Sequence, residues 1–316
     1  MVRLRDNNQN NFHMKTGINT GAMNNAPSGV HPIRYNSAMN RPTPDYLIIG
    51  HITQDLVENG TRLGGTAIFS SILAQRLGLQ VALVTSFDAD LDLEVLKGIQ
   101  INNQKGQGTT TFNNIYSSTG RTQYLLDRAE GLNISQIPDN YRMASIVHLA
   151  PVAREIKLEA GREFPNSSLA YSLQGWLRDW DNKGLVHPAP LPEIDRAGQL
   201  EGTAFLSIED LGFDRSRLDP ILSIFPDLVL TTGEQGAELY TENVLRLVPT
   251  KPAREVDPTG AGDIFTAAFI IAKVILGKSL LEAAQFANVL AGISITRPGI
   301  DGIPTVEEIT EVQKVY

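Results

Sequence analysis

The sequence contains no cysteine. That removes disulfides, thiolate-bound zinc and cysteine nucleophiles, and it fits a reducing, cytoplasmic setting. Long apolar runs are also missing. A membrane-spanning helix needs about 18 uncharged apolar residues, and the longest apolar patch, Ala267 to Leu276, is broken by Lys273. A membrane is therefore not an expected partner. The five histidines (13, 31, 51, 148 and 187) show no metal-ligand spacing, and His51 reads as a satisfied loop residue bordering a cleft. Basic charge is scarce: 27 Lys and Arg stand against 35 Asp and Glu, a net −8. Residues 1–44 hold Arg3, Arg5, Lys15, Arg34 and Arg41 against Asp6, leaving 22 basic and 34 acidic residues, a net −12, for residues 45–316. A body that acidic lacks the clustered positive charge that grips phosphates of DNA or RNA, so no nucleic-acid partner is expected.

What is present divides into two parts. Residues 1–44 are rich in Asn, Gly, Ser and Pro without an apolar core, and read as a disordered polar leader rather than a secretory signal. Residues 45–316 read as one domain, without an internal repeat of 20–50 residues. Short apolar runs (Tyr46–Gly50, Val81–Thr85, Ile146–Ala150, Leu169–Leu173, Thr203–Ser207 and Asp227–Thr232) alternate with helical or mixed segments. Helices are expected over 65–77, 263–276, 279–296 and 305–313. Strands alternating with helices predict an α/β fold with a mainly parallel, doubly wound sheet flanked by helices. Residues 109–127 break the alternation: two β-like runs joined by Ser117–Gly120 read as a hairpin, either an edge extension or a lid over a cleft.

Ligands of such sheets bind beyond the carboxyl ends of the strands. Asp257-Pro258-Thr259-Gly260-Ala261-Gly262-Asp263 runs directly into a long apolar helix. Small residues at 260–262 let backbone amides converge at the helix start, where unpaired N–H groups and the helix dipole attract an anion. Asp263 falls on the first turn, where that field is expected to keep it ionised, placed to take a proton from a hydroxyl aligned against a phosphate.

The run DPTGAGDIFTAAF resembles the C-terminal signature of the ribokinase-like (PfkB) carbohydrate kinases. The resemblance implies an anion hole at Gly260, Ala261 and Gly262 and a catalytic base at Asp263. It further implies that Gly64 and Gly65, ahead of a helix ending in Leu77-Gly78, pack against substrate hydroxyls, and that Asp55 in GHITQD binds them. Thr232, Gly233 and Gly236, after the strand at 227–230, would lie near the nucleotide, although T-x-G-x-x-G is also an ordinary hairpin turn. Asn288 and the Arg297-Pro298-Gly299 segment match the region around adenine, with helix packing an equal account of Asn288. Asp257 and Thr259 would serve a monovalent cation such as K⁺. Gln174, directly after the strand at 169–173, is a candidate for a substrate hydroxyl, and Arg178 for a phosphate or for pairing with Asp179 or Asp181.

The resemblance covers about residues 45–310, with two departures. An Asn-x-x-Glu motif that helps order Mg²⁺ is replaced by Ser207-Ile208-Glu209-Asp210, leaving Glu209 or Asp210 for the metal. Only eight residues separate Asp55 from Gly64, where longer members place lid strands. A reduced lid is therefore expected, with the 109–127 hairpin as its remnant, as in the branch containing myo-inositol kinase; a monomer is favoured. The implied activity is ATP- and Mg²⁺-dependent phosphorylation of a sugar or polyol hydroxyl. Alternatives are a nucleoside kinase of the same fold and a non-catalytic sugar or nucleotide sensor.

Overall fold

The computed structural model describes residues 42–57, 60–88, 90–117, 120–194 and 198–316. The leader expected over 1–44 lies outside the described residues as far as residue 41. Residues 41–316 form one compact unit.

In chain order the strands are β1 (Tyr46–Ile49), β2 (Thr53–Val57), β3 (Gly60–Gly64), β4 (Val81–Thr85), β5 (Gln100–Asn103), β6 (Thr111–Ser117), β7 (Gly120–Asp127), β8 (Ile146–Leu149), β9 (Ser168–Ser172), β10 (Arg178–Trp180), β11 (Val186–Pro188), β12 (Thr203–Ser207), β13 (Leu228–Thr231), β14 (Ala237–Thr241) and β15 (Val244–Val248). The helices are α1 (Thr66–Arg76), α2 (Leu218–Ile224), α3 (Ala261–Val274), α4 (Leu280–Ser294) and α5 (Val306–Gln313). The predicted strands and the three late helices all form, with boundaries shifted by a residue or two, as fraying ends allow.

Nine strands make the main sheet in the order β15-β14-β13-β12-β9-β8-β1-β4-β5. From β13 to β5 all neighbours are parallel, and β14 and β15 add antiparallel at one edge. Strand β1 shows why its run is continuously apolar. Tyr46 and Ile48 point into a core built with α1, α3, α4 and α5, whereas Leu47 and Ile49 point into a core on the other face. A strand buried on both faces has no polar alternation to display. The helices are shared unequally between the faces. The second face is covered by α2, by short 3₁₀ turns such as Leu158–Glu163, and by large aromatic side chains including Phe164, Tyr171, Trp176 and Phe225.

The lid differs from the sequence expectation. The interval between Asp55 and Gly64 is not empty of strands: β2 and β3 form a hairpin there, and β2 pairs in parallel with β6 of the predicted 109–127 hairpin. The result is a four-stranded second sheet in the order β3-β2-β6-β7, of which the predicted hairpin is half. The β2–β3 hairpin escapes sequence reading because its strands, TQDLV and GTRLG, are short, polar and half exposed.

Candidate active site

The left-handed conformation of Gly260 (φ 83°) places it as N-cap of α3, and a Cβ there would lie 2.4 Å from the Phe69 ring. Only glycine fits both demands. At Gly262, by contrast, a Cβ would meet nothing within 4 Å, so packing does not require glycine and the position opens onto free space. Of the three predicted anion-hole amides, that of Ala261 donates to the Pro258 carbonyl at 3.1 Å.

Asp263 follows on the first turn of α3. Its Oδ1 accepts a hydrogen bond from Thr66 Oγ1 at 2.7 Å, and its carbonyl accepts from Ser70 Oγ at 3.2 Å, so α1 and α3 meet at this residue. Burial, reinforced by the negative charge of Asp210, pushes its carboxyl up to about 6 against the Thr66 hydrogen bond and the Arg178 charge, so the carboxylate is ionised at neutral pH with a narrower margin than a free one. Desolvation of the carboxylate outweighs the helix-start field.

The Gly64-Gly65 step lies alongside. Gly65 caps α1 with φ 88°, and a Cβ on Gly64 would lie 2.8 Å from Asp55 Oδ2. Asp55 is nearly buried on the lid, and a polar relay leads away from it. Asn114 Nδ2 donates to Asp55 Oδ1 (3.1 Å), Gln123 Nε2 to Asn114 Oδ1 (2.8 Å), and Arg178 Nη1 to Gln123 Oε1 (3.1 Å). The Arg178 guanidinium also lies over the Phe112 ring at 5.7 Å. The partners suggested for it from sequence are engaged elsewhere: Asp179 pairs with Arg154 at 3.2 Å, and Asp181 accepts from the Lys183 and Leu185 amides. Sequence reading missed Thr66, Asn114 and Gln123. The last two face each other across β6 and β7, and polar side chains on the lid strands were the available signal.

Asp257 fits a monovalent cation poorly. Its Oδ1 accepts from the Thr259 amide (2.9 Å), and its Oδ2 accepts from the Gly299 amide (2.9 Å) and from Arg62 Nη1 (3.3 Å) on the lid. Burial raises its carboxyl, but these hydrogen bonds and the Arg62 charge outweigh it, and the net shift is downward. The charge of Asp257 is thus met by the chain's own groups.

For Mg²⁺, the two candidates separate. Glu209 is exposed, whereas Asp210 is half-buried, accepts from the Ser207 amide (2.8 Å) and hydroxyl (3.0 Å) through Oδ2, and acts electrostatically on Asp263. Two mutually repelling carboxylates beside an anion loop suit a divalent cation. No cluster of three or more His, Asp or Glu side chains exists among the described residues, in keeping with the habit of Mg²⁺ to take one or two carboxylates plus substrate phosphates.

The remaining candidates are placed as follows. Gln174 is half-buried in a 3₁₀ turn, Leu173–Gly175, at the carboxyl end of β9. Thr232 Oγ1 donates to the Gly236 carbonyl (3.1 Å), and a Cβ on Gly236 would lie 2.2 Å from the Val248 carbonyl oxygen, so the turn itself accounts for both. Gly233 is exposed with φ 61°. Asn288 is buried and donates to the carbonyls of Val248 (3.0 Å) and Pro249 (3.4 Å), which is the packing account of it. Gly299 sits against Arg62 with φ 51°. His51 is fully buried, with Nδ1 2.8 Å from Thr110 Oγ1 and Nε2 2.9 Å from the Glu130 carbonyl: a satisfied residue.

Comparison with known proteins bears on the fold and the sequence signature. Residues 216–306 match the model of the pfkB family carbohydrate kinases. The chain is similar to a ribokinase of Bacillus subtilis (25% identity; 79% of this chain and 87% of the relative) and to an inositol 3-kinase of Arabidopsis thaliana (27% identity; 82% and 76%). It superposes on the structure of Arabidopsis thaliana ribokinase complexed with ribose and ATP with a TM-score of 0.64 at 18% identity, covering 86% of this chain and 99% of that one. The fold is ribokinase-like. More narrowly, its sequence is similar to those of the PfkB carbohydrate kinases, phosphotransferases with an alcohol group as acceptor.

Proposed function

We propose that the chain is an ATP-dependent kinase that transfers the γ-phosphoryl group to a hydroxyl of a small neutral sugar or polyol, with inositol-like molecules in its range. One observation carries the reading: Asp263, on the glycine-rich first turn of α3, is hydrogen-bonded to Thr66, which directly follows Gly64 and Gly65 beside Asp55, and its carboxyl lies near 6. A base of that pKa is ionised at neutral pH yet takes up a proton readily.

In this reading Asp55, oriented by Asn114, accepts from acceptor hydroxyls, and the bare backbone of Gly64 and Gly65 lets the acceptor approach. Asp263 Oδ2 takes the proton of the attacking hydroxyl while Thr66 holds Oδ1. The open amides at Gly260 and Gly262 stabilise negative charge on the transferred group, and Arg178 adds positive charge nearby. Phosphoryl transfer depends on this kind of positioning and electrostatics more than on covalent help. Mg²⁺ held through Asp210 would offset phosphate charge. The turn at Thr232–Gly236 and Gly299 remain the proposed nucleotide side, acting through backbone groups, whereas the Asn288 side chain is taken up by the Val248 and Pro249 carbonyls. A monomeric state in the cytoplasm, expected from the sequence, stays part of the proposal.

Coupled ADP release measured across inositol, ribose, fructose and adenosine tests the reading. Turnover with a sugar or polyol is expected. Turnover with adenosine alone would move the assignment to a nucleoside kinase, and saturable binding with no ADP release from any acceptor would make the chain a sensor.

A further inference from the structure

A cavity of about 510 Å³ lies at the amino ends of β9, β12 and β13, the end of the sheet opposite Asp263. It is lined by Arg162, Tyr171, Glu201, Asp227 and Lys273. We propose that this cavity is a second ligand site, for a small phosphorylated sugar or polyol.

Three observations converge on that chemistry. First, Lys273 is half-buried in the last turn of α3 and makes no ion pair or hydrogen bond among the described residues. A cation held half out of water without a partner suits an anion. Arg162 also lines the cavity. Second, Tyr171 is fully buried and its hydroxyl has no hydrogen-bond partner among the described residues, although it feels the charges of both Arg162 and Glu201. Buried hydroxyls are nearly always paired, so this one calls for a ligand or water. Gly161 makes room for the hydroxyl itself, since a Cβ there would fall 1.9 Å from its oxygen. Third, the acids that line the cavity can accept hydrogen bonds. Glu201 is exposed and makes no ion pair or hydrogen bond among the described residues, and Asp227 uses Oδ1 for the Thr241 hydroxyl (2.6 Å), leaving Oδ2. Two cations for a phosphate and two carboxylates for neighbouring hydroxyls match a phosphorylated polyol, whereas a simple anion would be repelled by the acids. The volume lies within the range of small-molecule sites.

The test is amine acylation of the full chain, read residue by residue by mass spectrometry, with millimolar ribose 5-phosphate or fructose 6-phosphate. Lys273 should be protected about fivefold or more while exposed Lys251 is unaffected, with free ribose, fructose and inorganic phosphate giving little protection. Protection should persist in Asp263→Asn, which separates this cavity from the catalytic cleft. It should weaken about threefold or more in Tyr171→Phe, a change that leaves the ring packing in place. Unchanged Lys273 reactivity, equal protection by inorganic phosphate, or protection lost in Asp263→Asn would each overturn the proposal.

Discussion

The Thr66 hydroxyl donates a 2.7 Å hydrogen bond to Asp263, tying the first turn of α1 to the first turn of α3. It thereby holds one oxygen of the carboxylate and leaves the other for the proton transfer proposed above. It also opposes the burial that raises the carboxyl to about 6.

The first prediction concerns activity against pH. With Asp263 acting as a base, kcat/KM should rise through an acid limb near pH 6. Thr66→Val removes a bond that favours the ionised form, and Arg178→Met removes a favourable charge, so both should move that limb upward. A limb unmoved in both variants would show that another group controls the profile.

Stability should carry the opposite signature. The folded carboxyl lies above its usual 3.8, so the native state binds the proton more tightly and loses stability as pH rises from about 4 to 6. Asp263→Asn should therefore melt higher than the parent above pH 6, with the difference vanishing near pH 4. Thermal melts at the two pH values check the sign.

Two glycines in one loop should respond differently. Gly260→Ala meets both a positive φ and the Phe69 ring, and should cost about 2–4 kcal/mol of stability. Gly262→Ala faces open space and should stay within about 1 kcal/mol of the parent. Its added methyl crowds the phosphoryl position, however, and should lower kcat about a hundredfold. Denaturant unfolding beside steady-state rates separates the two effects.

The lid relay gives a prediction about acceptor binding. Asp55→Asn turns an acceptor-only group into one that also donates, so KM for the sugar or polyol should rise about tenfold or more while KM for ATP stays put. Gln123→Ala, acting through Asn114, should shift acceptor KM in the same direction by less.

Arg62 replaces what a bound cation would supply to Asp257. Exchanging K⁺ for tetramethylammonium should therefore change kcat by no more than about twofold, and Arg62→Ala should make the rate respond to K⁺. A strong K⁺ requirement in the parent would contradict this account of Asp257.

How much of this could be read from sequence follows from where the signals are local. Strand β1 and the start of α3 declare themselves in consecutive residues: an unbroken apolar run in one case, small residues before an acid and an apolar helix in the other. The second lid hairpin did not, because TQDLV and GTRLG bury too little to show a period. Thr66, Asn114 and Gln123 acquire their positions only when separate elements meet: Thr66 and Asp263 are 197 residues apart. The raised pKa of Asp263 is not legible in sequence for the same reason. A helix start is visible in sequence, whereas the burial that outweighs it and the approach of Asp210 are not.

The most direct test of the central claim is ADP release by Asp263→Asn, beside ATP binding measured on the same preparation, at saturating acceptor. The account predicts ATP binding close to that of the parent and turnover lower by about 10²–10⁴-fold, the contribution typical of a general base. Turnover near that of the parent would contradict it.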